Sequence, residues 1–78
     1  LPTILIAEDH LELRRFIRDS LGAFYQYIEA SGGIEALALA TSHIPDLVIS
    51  DVMMPEMDGL ELCKRIKNQD ATSHIPFI

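Results

Sequence analysis

The sequence contains one cysteine, no tryptophan and no long hydrophobic run. Because Cys63 has no partner within the chain, an internal disulfide is excluded, and a reducing compartment such as the cytoplasm is expected. The apolar runs fall far short of the ~20 residues that cross a membrane. Residues 1–7 also lack the basic start and long apolar stretch of a signal peptide. We therefore expect no membrane contact by this segment.

Basic residues are scarce as well: six Lys and Arg stand against twelve Asp and Glu, which gives a net charge of −6. This balance argues against contacts to a phosphate backbone, so nucleic-acid binding by this segment is not expected. It fits instead a site that attracts a cation. The apolar fraction of 49% is that of a folded protein. The 78 residues fall short of the ~100 to 150 of a common domain, so we expect one domain at most, or part of one.

Three short segments have the composition of strands. Residues 3–7 and 47–50 are largely apolar and β-branched with no polar face, which is typical of parallel strands covered on both sides. Residues 25–30 are more polar and alternate, which favours a strand at the edge of a sheet. Residues 76–78 have the pattern of the opening of a fourth strand.

The segments between these strands predict helices. In the first, before Gly22, apolar residues recur at the spacing of one helical face: Leu13, Phe16, Ile17 and Leu21. Residues 34–41 are rich in good helix formers, and Pro45 marks the end of that helix. A third helix has Cys63 on its inner face, where we expect a small buried residue. The β-α-β-α-β-α order predicts an α/β fold with a parallel sheet.

Carboxylates follow two of the predicted strands directly. Glu8 and Asp9 come after the first strand and Asp51 after the third, at the carboxyl ends where parallel sheets bind ligands. If these strands are neighbours, repulsion among the carboxylates raises their pKa values unless a cation lies between them. Magnesium suits such oxygen ligands, and no His or Cys set has zinc spacing. The three histidines are expected at a helix rim or in loops, not as ligands.

Two motifs resemble response-regulator receiver domains of two-component signalling: Ile-Leu-Ile-Ala-Glu-Asp at residues 4–9 and Asp-Val-Met-Met-Pro-Glu-Met-Asp-Gly at residues 51–59. The resemblance extends along nearly all of the chain. It implies a flavodoxin-like, doubly wound parallel sheet, of which these residues form β1-α1-β2-α2-β3-α3 and the start of β4. Some stretches are similar to the receivers of hybrid sensor kinases.

The resemblance also implies a chemistry. Asp51 is expected to accept a phosphoryl group from the phosphohistidine of a histidine kinase or phosphotransfer domain, and so to switch conformation. Glu8, Asp9 and Asp51 would hold Mg²⁺ with their side chains, and Met53 with its backbone carbonyl. The side chains of Met53, Met54 and Met57 are otherwise expected to fill gaps in the packing.

The family pattern also includes a Ser or Thr after the fourth strand and a Lys after the fifth, and neither position occurs in the 78 residues. We therefore expect residues 1–78 to be a partial receiver domain that lacks the C-terminal β4-α4-β5-α5 part. Phe16 and the edge of the third strand should then be exposed, with Phe77 and Ile78 beside that strand. A homodimer or strand swap across this edge is expected if the chain is alone.

Three other classes of protein share parts of this pattern, and two of them are rejected on individual positions. A haloacid-dehalogenase-like phosphatase needs a second Asp at position 53, where this chain has Met. An EF-hand is excluded because Met53 and Leu62 stand where calcium ligands are required. The remaining alternative is a pseudo-receiver that docks a partner or dimerises without being phosphorylated. The sequence does not decide whether the parent protein is an enzyme, such as a hybrid histidine kinase.

Overall fold

The computed structural model describes residues 1–78, which alternate between strands and helices as predicted. The elements are β1 (Thr3–Ala7), α1 (Leu11–Leu21), β2 (Gln26–Ala30), α2 (Gly33–His43), β3 (Leu47–Ser50) and α3 (Gly59–Lys67). The first helix begins two residues before its predicted apolar stripe because His10 caps it: the imidazole Nδ1 accepts a hydrogen bond from the Leu13 N–H at 3.4 Å. No helix is long and apolar enough to cross a bilayer.

The strands form one parallel sheet in the order β2-β1-β3. The central strand, β1, lies in register with both neighbours, so that Ala7 is opposite Ala30 on one side and Ser50 on the other. Their carboxyl ends therefore lie side by side. The residues that follow β1 and β3 leave the sheet at the same edge.

The last residues of the chain pair with β3, as predicted. Val48 and Phe77 form a parallel bridge. The Val48 N–H donates to the Pro76 carbonyl at 3.0 Å, and the Ile78 N–H donates to the Val48 carbonyl at 2.9 Å. The loop before this segment is anchored by Thr72, whose buried hydroxyl donates to the Ile66 carbonyl at 2.7 Å.

The apolar core lies between the sheet and the α2–α3 pair. It contains residues of the strands, of both helices and of the segments that follow β3 and α3: Leu5, Ala7, Ala30, Ala36, Ala40, Val48, Met54, Leu62, Ile66 and Ile75. Right-handed crossovers place α1 on the opposite face, because the chain moves from β1 to β2 in one direction and back past β1 to β3 in the other. Cys63 is half-buried and does not belong to this core, to which α3 contributes Leu62 and Ile66, so the prediction of a buried cysteine is wrong.

On the opposite face Ile4 and Ile6 of β1 are buried, but the helix that lies over them is largely exposed. No residue of α1 is buried, although the helix contacts β1. Phe16 is 67% exposed, which confirms the prediction for this residue. Leu13 is exposed as well, so part of the apolar stripe of α1 is open to solvent.

Candidate functional site

Three carboxylates meet at the carboxyl edge of the sheet. One ligand oxygen each from Glu8, Asp9 and Asp51 lies within 4.8 Å of the other two. The register of β1 and β3 explains this proximity, and the Asp51 N–H extends the ladder by donating to the Ala7 carbonyl at 3.0 Å. The group contains no histidine. His10 lies at the start of α1, as expected of a rim residue, and His43 and His74 are exposed.

Glu8 is the buried member of the group, with 2% of its surface exposed. Burial raises the pKa of its carboxyl, and contact with Asp9 and the negative charge of Asp51 raise it further. The His10 N–H opposes this shift by donating to Glu8 Oε2 at 2.9 Å. Asp51 is half-buried and Asp9 is exposed, so the group opens to solvent on one side.

This donor set fits a hard divalent cation. All three groups offer carboxylate oxygens, and the open side leaves room for water and a phosphoryl oxygen. A buried carboxyl beside two others is unfavourable when charged, and a cation among them removes that cost. Mg²⁺ prefers one or two carboxylates together with waters and phosphate, which is what this edge can provide.

The loop that follows Asp51 folds back against the backbone of Asp51 and Val52. Met53 N–H faces Asp51 Oδ1 at 3.4 Å, and the Gly59 N–H donates to the Val52 carbonyl at 2.9 Å. A Cβ at Gly59 would clash with the Asp51 carbonyl oxygen, so only glycine permits this approach. Asp58 caps α3 by accepting a hydrogen bond from the Glu61 N–H at 2.8 Å.

The methionines of this loop differ in their surroundings. Met54 is buried and Met57 packs against the core, as predicted. The Met53 side chain is exposed, so the prediction that it fills a gap in the packing is wrong. It lies in the loop between β3 and α3, where its neighbour Met54 occupies the core instead.

A group of charged side chains joins α1 to β2 behind the carboxylates. Arg14 Nε lies 3.0 Å from Glu29 Oε1, and Arg18 Nη1 lies 2.7 Å from Glu29 Oε2. Burial alone would raise the pKa of Glu29, but the two arginines outweigh it and lower that pKa. Arg14 Nη1 also donates to the Glu8 carbonyl at 2.8 Å, which connects this group to the carboxylate site. Sequence reasoning missed both this group and the tight approach at Gly59.

The largest groove lies elsewhere, between α2 and α3, with a volume of about 680 Å³. Its lining includes Ile34 and Leu37, and none of the three carboxylates borders it. A small cation and a phosphoryl group need converging oxygens more than a deep cavity. The carboxylate edge is therefore the better candidate site.

Comparison with known proteins places this arrangement in a family. The response regulator receiver domain matches residues 4–78. Histidine kinase P4 of Formosa agariphila is 54% identical over 76 residues, which are 97% of this chain and 6% of that protein. The polar-differentiation response regulator DivK of Brucella anthropi is 40% identical over 77 residues, with 97% of this chain and 63% of that protein covered.

Solved structures agree. The chemotaxis protein CheY4 of Vibrio cholerae superposes with a TM-score of 0.91 at 33% identity, over 99% of this chain and 65% of that one. The receiver domain of a signal transduction histidine kinase from Syntrophus aciditrophicus gives a TM-score of 0.81 at 37% identity, over 99% and 59%. The chain thus spans less than two-thirds of each regulator and a small part of the kinase, and the predicted flavodoxin-like fold is confirmed. By sequence and by fold, this chain belongs to the response regulator receiver family of two-component signal transduction.

Proposed function

We propose that this chain is the phosphoacceptor part of a receiver in a histidine–aspartate phosphorelay, with Asp51 as the acceptor. The observation that supports it best is the convergence of Glu8, Asp9 and Asp51 at the carboxyl edge of the sheet. Asp51 is half-buried in this group and its main chain is held by β1 and by Gly59. A phosphoryl donor can reach it from the open side.

In the proposed reaction, a carboxylate oxygen of Asp51 attacks the phosphorus of a phosphohistidine in the partner. The P–N bond breaks as the new O–P bond forms, which leaves an acyl phosphate on Asp51 and returns the electron pair to the imidazole, where a proton joins it. Bound Mg²⁺ would supply positive charge against the transferring oxygens. The side chains of Glu8, Asp9 and Asp51 and the backbone carbonyl of Met53 would hold it.

The proposal extends to the surroundings of the site. We infer that residues 1–78 are the β1-to-α3 part of a receiver domain that works in the cytoplasm beside a histidine kinase or phosphotransfer domain. The exposed stripe of α1 at Leu13 and Phe16, and the outer edge of the segment at Phe77, are then covered by further receiver elements in the intact protein. Without those elements, a second copy covers them by dimerisation or strand swapping.

Phosphoryl uptake tests the function. The full-length protein is incubated with Mg²⁺ and a small acyl phosphate or its kinase, and its intact mass is measured. We expect incorporation in the unsubstituted protein and in the Asp70→Asn control, whose carboxylate is exposed and far from the site in the chain, but not in Asp51→Asn. Unchanged incorporation in Asp51→Asn would place the acceptor elsewhere. No incorporation in any form would favour the pseudo-receiver.

Sedimentation tests the covering of the open surfaces. The 78-residue chain, verified by mass, should show concentration-dependent association, whereas a longer form with the remaining receiver elements should not associate through this edge. A cooperatively folded 78-residue monomer at all concentrations would contradict this part of the proposal.

A further inference from the structure

Arg14 lies on α1, a helix in which no residue is fully buried, yet its side chain is largely enclosed. Its side chain is 14% exposed, although α1 as a whole lies on the open face of the sheet. Two of its nitrogens are used, Nε towards Glu29 at 3.0 Å and Nη1 towards the Glu8 carbonyl at 2.8 Å. One side chain therefore joins β2, α1 and the end of β1.

The Glu8 carbonyl lies where the backbone ladder stops. The Glu8 N–H still donates to Ala30 at 3.0 Å, and the Ala7 carbonyl still accepts from Asp51 at 3.0 Å. Beyond that point the chain turns away from the sheet into α1, and Arg14 supplies the donor that a neighbouring strand no longer provides.

This contact fixes the peptide plane between Glu8 and Asp9. Since a peptide unit is planar, orienting the Glu8 carbonyl also orients the Asp9 N–H and the path to its Cα. The Glu8 carboxylate is held separately by the His10 N–H. Asp9 is exposed, so the position of its carboxylate depends strongly on where the main chain places it.

We propose that Arg14 is a positioning residue for the metal site, which keeps the Glu8–Asp9 peptide in the orientation that brings both carboxylates towards Asp51. The inference rests on the proposed Mg²⁺ site. Mg²⁺ requires nearly ideal octahedral geometry, so small displacements of its ligands weaken binding. Groups that orient metal ligands typically change metal affinity by about 10- to 100-fold when they are replaced.

Charge and geometry make opposite predictions for this residue. As a nearby cation, Arg14 opposes Mg²⁺ binding, so losing its charge alone would strengthen binding. Arg14→Lys keeps the charge, but the three donors of an ammonium share one nitrogen, whereas Glu29 and the Glu8 carbonyl are bound by two different nitrogens of the guanidinium. A weaker Mg²⁺ affinity in Arg14→Lys therefore reports geometry.

The matched control is Arg18→Lys. Arg18 binds the other oxygen of the same Glu29, but makes no hydrogen bond to Glu8. Both substitutions weaken the attachment of α1 to β2, so a general loosening of the helix would affect Mg²⁺ binding in both. Among the hydrogen bonds of the two arginines, only the one to the Glu8 carbonyl reaches the carboxylate site. The other difference, the contact of Arg18 with the Tyr27 ring at 5.3 Å, lies away from that site.

The test is an NMR titration of the full-length protein with MgCl₂, following the amides of residues 8–10 and 51–54. We expect the dissociation constant to rise about tenfold in Arg14→Lys and less than about twofold in Arg18→Lys. Glu29→Gln removes the charge that holds Arg14 and should give an intermediate rise in the dissociation constant. It replaces Arg14→Lys as the test if that variant does not fold. Equal affinities in the wild type, Arg14→Lys and Glu29→Gln would overturn the proposal, as would equal losses in Arg14→Lys and Arg18→Lys. A wild-type protein without Mg²⁺-dependent shifts at these amides would contradict the proposed metal site itself, and the positioning role with it.

Discussion

The two faces of the sheet are built in different ways. On the α2–α3 face, apolar side chains such as Ala40, Leu62 and Ile66 pack against the strands without exposed surface. On the α1 face the strand residues Ile4 and Ile6 are buried but no residue of the helix is, and Arg14 and Arg18 attach the helix to their shared partner on β2. The α2–α3 face therefore supplies most of the apolar burial, while polar contacts on the α1 face reach the carboxylate edge.

The two faces therefore have different roles: the α2–α3 face mainly stabilises the fold, and the polar contacts of the α1 face mainly position the carboxylate site. Apolar burial is insensitive to the orientation of a single bond, so it can stabilise the sheet without placing a ligand accurately. Charged hydrogen bonds are directional, and those of Arg14 end on the main chain of the site. Substitutions on the two faces should thus differ in size and in kind.

The largest effect is expected from the α2–α3 face. Leu62→Ala in the 78-residue chain should lower the free energy of unfolding by about 3 kcal/mol, because it leaves a cavity in place of a fully buried side chain. Phe16→Ala should cost less than about 1 kcal/mol, since two-thirds of Phe16 is already exposed. Urea unfolding at one fixed protein concentration measures both, because the 78-residue chain is expected to associate. Similar losses would contradict the contrast, and a larger loss for Phe16→Ala in a longer form would measure how far other elements cover this face.

The next effect is expected at the junction of the site and α3. Gly59→Ala should cost about 2 kcal/mol, because the new Cβ forces the Asp51 carbonyl and the start of α3 apart. Gly32→Ala is the control: its Cβ meets nothing within 4 Å. It should cost at most about 1 kcal/mol, the usual loss for a less suitable N-cap. Thermal unfolding compares the two, and equal stability of both variants would show that the approach at Gly59 is not restrictive.

A smaller, pH-dependent effect is expected from the α1 face. Glu29→Gln should destabilise the chain by about 1 kcal/mol at pH 7, because it weakens the hydrogen bonds from Arg14 and Arg18. The Glu29 side chain is 25% exposed, so solvent reduces their contribution. The pKa of Glu29 is lowered in the fold, so its contribution is present above the unfolded pKa of about 4.3 and disappears as the pH falls through the folded value.

Urea unfolding at pH 7 and at pH 3 measures this change. The difference between wild type and Glu29→Gln should shrink at the lower pH. Glu61→Gln, which breaks an exposed pair with Arg65 within α3, should cost no more than about 0.5 kcal/mol. A constant difference for Glu29→Gln at both pH values would show that its charge does not stabilise the fold.

Local sequence patterns were sufficient to predict much of this fold and the location of the carboxylates. The apolar runs before Glu8 and Asp51 predicted two buried parallel strands, and such strands end at a common edge. Arg14 and Glu29 were not found because they lie on different elements, and nothing local shows which face of α1 meets β2. The close approach at Gly59 was not found either: this residue was noted only as the end of the motif at residues 51–59, since such an approach leaves no pattern except the glycine itself.

The central claim is that the ends of β1 and β3 form one cation-dependent phosphoacceptor site. Its most direct test is the Mg²⁺ dependence of phosphoryl uptake by the full-length protein, measured as the rate of acyl-phosphate formation. We predict that uptake requires Mg²⁺, stops when the ion is chelated, and falls by about 100-fold in Asp9→Asn, while the exposed-acid control Asp19→Asn keeps the wild-type rate. Uptake at an unchanged rate with chelator present and in Asp9→Asn would contradict the account.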